Sequence, residues 1–191
     1  MVSRDKKTTD WKKISIIGLS SFMGLIVLGS LGLWIFFAMT FATYDNLSDG
    51  FRMVYPKQWK LVEHPQPGAI AAFVSPKAGP LDVFQENVNI SMTDLSKSPM
   101  TLEQYVNTVQ VQMTGVFRNI AVQESAPVLL SGHEGHKFVF FAQGDAATVV
   151  VVYAFIYRDV AYNVTYIGAA VQYPRDKSFL DIMMNSFKVY F

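Results

Sequence analysis

The densest group of metal-capable side chains in this sequence is His133-Glu134-Gly135-His136. Two imidazoles and a carboxylate are donor types that a divalent cation accepts, so His133, Glu134 and His136 form a candidate metal set. A third histidine, His64, lies far away in sequence. The competing reading is a polar hairpin turn between Val128-Leu129-Leu130 and Lys137-Phe138-Val139, with Gly132 and Gly135 supplying the turn geometry. Strand geometry separates the two. Positions three apart on a strand face opposite sides, so both imidazoles reach one ion only if the chain bends between them. The zinc-protease pattern needs two histidines four apart on a helix, and this segment does not supply it.

Other chemistries are poorly served. Ser131-Gly132-His133 lacks the Gly-x-Ser-x-Gly frame of a nucleophile elbow. There is no phosphate-cradling glycine loop and no cysteine, hence no thiol nucleophile, disulfide or thiolate metal site. Asp82, Glu86 and Asp94 read as groups that solvate loop ends. Residues 45–191 carry 11 Lys/Arg and 13 Asp/Glu, a formal charge of −2 (11 − 13), which is no nucleic-acid-binding balance. Neither a catalytic residue nor a cofactor is expected. Asn46-Leu47-Ser48, Asn89-Ile90-Ser91 and Asn163-Val164-Thr165 fit the N-glycosylation pattern, which matters only in a eukaryotic host.

The elements that would position these residues begin after a long apolar run. From Ile14 to Ala42, 29 residues pass without Asp, Glu, Lys, Arg or His. A helix needs roughly 20 apolar residues to cross a hydrocarbon core, so residues 14–42 are expected to be a transmembrane helix in a lipid bilayer. A buried core helix is one rival. A cleaved signal peptide ending near Thr40 and Ala42 is the other, although its apolar region is usually only about 7–15 residues long.

Arg4, Lys6, Lys7, Lys12 and Lys13 precede the run, which places residues 1–13 in the cytoplasm. The chain beyond the run is then periplasmic, lumenal or extracellular. Trp11 and Tyr44 fall at the two ends, where amphipathic rings settle at headgroup level. Ser20, Gly24, Gly29 and Gly32 give the run a small-residue face that could pack against another helix.

Residues 43–49 read as a polar linker, and residues 50–191 as one folded domain. Short β-prone runs occur at 51–55, 68–75, 120–123, 136–143, 148–158 and 161–168. Residues 87–94 alternate cleanly, with Val88, Ile90 and Met92 on one face. The apolar stretch from Thr148 to Tyr157 suits a central strand covered on both faces. Turn signals at Gly144-Asp145 and Arg158-Asp159 are too short for parallel crossovers and imply antiparallel hairpins.

The period changes at Thr101. A capping box with Gln104 opens a helix from Leu102 to Val116, whose inner stripe is Leu102, Tyr105, Val106, Val109, Met113 and Val116. Pro174 opens another, with Phe179, Ile182, Met183 and Ser186 inward, and residues 187–191 return as a strand. Tight links between strands and interposed helices indicate an α+β fold with helices packed on an antiparallel sheet.

Six segments in order resemble PsbP-like domains. They are Gly50-Phe51-Arg52-Met53-Val54-Tyr55-Pro56-Lys57-Gln58-Trp59, Glu86-Asn87-Val88-Asn89-Ile90, Thr101-Leu102-Glu103-Gln104-Tyr105, the Ser131-Gly132 to Gly135 turn, Tyr162-Asn163-Val164-Thr165 and Asn185-Ser186-Phe187-Lys188-Val189. The resemblance covers residues 50–191 and implies an α–β–α sandwich around a central antiparallel sheet. That family includes extrinsic photosystem II proteins, assembly factors of thylakoid complexes and bacterial exported proteins, and it is not known for enzymes. With the apolar run read as an anchor, the resemblance implies an accessory or assembly protein, membrane-anchored by that run, that binds an integral membrane protein complex. The alternative is an extracytoplasmic metal- or ligand-binding module.

Overall fold

The computed structural model describes residues 11–190 except 78, 80–83, 118 and 145, with backbone alone for 11–22 and 24. The expected tail at residues 1–10, Asp82, Asp145, and the side chains of Trp11, Ser20 and Gly24 lie outside the described residues. The chain divides into two units, one ending at Thr40 and one starting at Phe41.

The first unit holds α1, Trp11–Thr40, a single α-helix of 30 residues. Its side chains are described at Met23 and from Leu25 onward, and among the described residues no helix is long and apolar enough to cross a membrane. The large apolar side chains from Leu25 to Met39 lie on every side of the helix and are 43–74% exposed. Around Gly29 and Gly32 there is open space where a Cβ would stand.

The second unit begins without a spacer, correcting the expected linker. Residues 43–46 of the segment read as connector belong to strand β1, Phe41–Asn46, paired antiparallel to β2, Phe51–Pro56. The helix itself ends at Thr40, two residues before Ala42. β10, Lys188–Val189, completes this small sheet on the other side of β2.

Seven further strands form the main sheet: β3 (Lys60–Gln66), β4 (Ala69–Val74), β5 (Asn87–Asp94), β6 (Ile120–Leu130), β7 (His133–Ala142), β8 (Thr148–Tyr157) and β9 (Val160–Ala169). Their order is β3-β4-β5-β9-β8-β7-β6, and every pairing is antiparallel, as the short links require. The β6–β7 and β8–β9 hairpins turn on Ser131-Gly132 and Arg158-Asp159, all four residues at positive φ. That is the geometry of two-residue hairpins whose twist matches the strands. Gly135, expected in the turn, stands within β7 instead.

Two helices cover the main sheet. α2, Leu102–Val116, opens on the expected capping box: Gln104 N donates to Thr101 Oγ1 at 3.2 Å and Thr101 N to Gln104 Oε1 at 2.9 Å. It buries Tyr105 and Val109 against Phe138, Phe140, Val150, Val152 and Ala154. Val116, expected on the inner stripe, is exposed instead. α3, Tyr173–Ser186, lies with the small sheet over the opposite face. Its inner side is Asp176, Leu180, Met183 and Met184, a phase about one residue away from the expected stripe. Phe179 turns aside to meet Phe41.

Strand β8 is an inner strand, between β9 and β7, with both faces covered. Val149, Val151, Tyr153 and Phe155 face α3, while Val150, Val152 and Ala154 face α2. Full burial of each large apolar side chain contributes about 1.5–3 kcal/mol. The result is an α+β domain in which an antiparallel sheet is sandwiched between helical layers.

Candidate functional site

The capping box fixes where α2 begins, and so which flank of it faces the β6–β7 hairpin. Leu102, Val106 and Gln110, spaced four apart, form one wall of a cleft of about 700 Å³. Pro127 and Leu129 of β6 form the other wall, and Glu134, His136 and Phe138 project from β7 between them. Even-numbered positions of β7 point to the α2 side because successive strand residues alternate. The volume lies within the range of about 300–1,000 Å³ common to ligand sites. No Lys or Arg is among the lining residues.

His136 is the most constrained polar group of the cleft. Its ring packs on Phe138 at 4.6 Å, and its Nε2 lies 2.8 Å from Ser125 Oγ. Burial holds its pKa below the ordinary 6.5, which favours the neutral imidazole. A serine touching a histidine is one half of a hydrolytic triad. A triad also needs a carboxylate on the second ring nitrogen, and among the described residues no carboxylate hydrogen-bonds His136. The pair serves a structural bridge from β7 to β6 better than it serves proton transfer.

His133 faces the other way. Its ring stacks on Tyr157 at 4.6 Å, and Arg158 lies over the same tyrosine at 5.3 Å. The set His133, Glu134 and His136 is therefore not brought together, because the turn bends before His133 and not between the histidines. Among the described residues no three His, Cys, Asp or Glu side chains converge as a metal site requires. His64 lies in a separate hollow with Asp49 and Pro67.

Tyr44, expected at headgroup level, has its ring in the core instead, meeting Phe51 and Phe73 edge-on at 5.7 and 5.9 Å. Its hydroxyl donates to Glu63 Oε1 at 2.9 Å and accepts from Asn46 Nδ2 at 2.9 Å. The three glycosylation patterns are likewise engaged in the fold. Asn46 is buried, Asn89 sits mid-sheet between β4 and β9, and Asn163 donates to Tyr105 Oη at 2.6 Å.

Sequence reasoning missed two things. Ser125 and Glu103 line the cleft, yet they come from segments separated from His136 and joined to it only by tertiary packing. Glu86 does not solvate a loop end: it is buried and accepts from Ser75 Oγ at 2.7 Å, clamping the start of β5 to the end of β4. Asp94 does behave as expected: it is exposed, and hydrogen bonds from the Ser96 hydroxyl and then from Ser96 N, the latter at 2.8 Å, lower its pKa.

The fold has clear counterparts among solved structures. Cyanobacterial PsbP (CyanoP) from Synechocystis sp. PCC 6803 superposes with a TM-score of 0.56 and 19% identity, over 80% of this chain and 94% of that one. LpqN, involved in cell envelope biogenesis of Mycobacterium tuberculosis, gives 0.57 and 8% over 78% and 90%. The Saccharomyces cerevisiae Ran-binding protein Mog1p gives 0.54 and 9% over 79% and 96%. No family model and no curated protein matches the chain. The domain from Phe41 onward thus has the PsbP-like fold that the six segments resemble.

Proposed function

We propose that this chain is a membrane-anchored, non-enzymatic accessory protein. Its PsbP-like domain binds an integral membrane protein complex on the non-cytoplasmic side, and its N-terminus lies in the cytoplasm. The observation that carries the reading is α1, whose apolar side chains stand exposed on every side from Leu25 to Met39. A helix apolar all round needs either a protein interior or lipid around it. In sequence the uncharged run over residues 14–42 is 29 residues, more than the roughly 20 that a helix needs to cross a hydrocarbon core.

The start of β1 argues against cleavage at Ala42. Phe41 is 5% exposed and part of the folded domain, so removing it would take away core. An anchor confines the domain to a thin layer and raises its effective concentration near membrane partners. A fold shared with a protein of cell envelope biogenesis and with a Ran-binding protein supports binding over turnover. The Ser125–His136 pair, with no carboxylate partner among the described residues, points the same way.

The test is alkaline carbonate extraction of native membranes, followed by crosslinking and affinity recovery in mild detergent. The chain is expected in the membrane pellet and with defined partners after crosslinking. Soluble protein starting at Thr43, or recovery of the bare chain alone, would overturn the reading.

A further inference from the structure

We propose that the cleft between α2 and the β6–β7 hairpin is a docking groove for a short partner segment carrying an apolar side chain flanked by Lys or Arg. This rests on the accessory function and names the chemistry of the contact. Phe138 is buried at the floor, Val106 and Pro127 line the walls, and Leu129 stands at the mouth, 75% exposed. An apolar surface of that kind gains from being covered.

Charge selects the occupant. Glu103 and Glu134 both line the cleft, and neither forms an ion pair among the described residues. The neighbouring Lys137 is committed to Glu124 at 2.9 Å. Two carboxylates beside an apolar floor attract a cation and repel phosphate or carboxylate, which disfavours anionic lipid headgroups and acidic peptides. Asn107 and Gln110 on α2 offer amides that both donate and accept, as a peptide main chain requires. Pro127 removes one N–H from the outermost strand, so a long strand added along that edge is disfavoured and the segment is short.

The experiment uses the full chain in nanodiscs and two fluorescent peptides, Lys-Leu-Phe-Leu-Lys and Glu-Leu-Phe-Leu-Glu, with empty nanodiscs subtracted. The basic peptide is expected to bind, and the acidic one to bind at least about tenfold more weakly. Glu103→Gln with Glu134→Gln should abolish that preference, with the thermal transition unchanged. Val106→Trp should fill the groove and remove binding of the basic peptide. Equal binding of both peptides, no binding of either, indifference to these substitutions, or tighter binding of dodecylammonium than of the peptide would each overturn the groove. If membrane partners are still recovered with both glutamates replaced, the groove fails while the accessory function stands. Peptide binding by a chain that recovers no partner from membranes would instead keep the groove and remove the accessory function.

Discussion

The hydroxyl of Tyr166 on β9 donates to Asp176 Oδ2 on α3 across 3.1 Å, within the core. The other oxygen of Asp176 accepts from Arg175 Nε at 2.9 Å. Burial, and then the charge of Asp176, push the Tyr166 pKa well above its ordinary value, so the phenol remains a donor. Asp176 is 2% exposed and stands in the first turn of α3, where a carboxylate also favours the helix dipole. Asp176→Ala orphans the tyrosine hydroxyl and should cost about 1–3 kcal/mol. Asp176→Asn keeps an acceptor and should cost less. Denaturation midpoints of the two variants check this, and equal losses would contradict it.

Gly168 is what lets Tyr166 lie as it does. The tyrosine ring crosses the place where a Cβ at Gly168 would stand. Gly168→Ala must displace the ring, with a cost of about 1–3 kcal/mol for overpacking and loss of the Asp176 bond besides. Because the ring is the obstacle, the same substitution should be much cheaper in a Tyr166→Ala background. A double-mutant cycle measures that coupling. Additive effects would mean that the ring is not what makes Gly168 necessary.

Elements defined by local pattern were legible in the sequence. Residues 87–94 alternate and are β5, the Thr101–Gln104 box opens α2, and the apolar run from Thr148 is β8, an inner strand covered on both faces. Elements defined by partners were not. Thr43-Tyr44-Asp45-Asn46 reads as part of a polar connector and becomes strand because β2 pairs with it. β6 continues past Gln123 through Pro127, which only an edge strand tolerates. The cleft was half visible: Glu134 and His136 stood out by type, whereas Glu103 and Ser125 join them only when α2 packs onto the sheet.

Tyr44 makes the domain sensitive to alkali. Burial, and then its hydrogen bond to Glu63, push its pKa from 10.0 up to about 12. The folded state therefore holds the phenolic proton more tightly than the unfolded chain does. That contribution is complete below pH 10 and is lost as pH rises through about 12. Tyr153 and Tyr166 are also raised, so some loss persists without Tyr44. The readout is the difference between the wild-type chain and Tyr44→Phe in denaturant titrations from pH 9 to 12, a window set by linkage at about the free and folded values. The wild type should lose stability more steeply. Parallel curves would remove Tyr44 from the account.

Phe41 bears on both stability and processing. Its ring meets Phe179 edge-on with centroids 6.2 Å apart, and it pairs across the small sheet with Pro56. Removing a buried phenylalanine side chain leaves a cavity, so Phe41→Ala should cost about 3 kcal/mol in the full chain. Two truncations extend the point. A chain starting at Phe41 keeps all of β1, whereas one starting at Thr43 loses Phe41 and the Ala42–Tyr55 pairing. The longer form should unfold at the higher denaturant concentration. Identical midpoints would mean that the first two residues of β1 are dispensable, and release by cleavage after Ala42 would then carry no structural penalty.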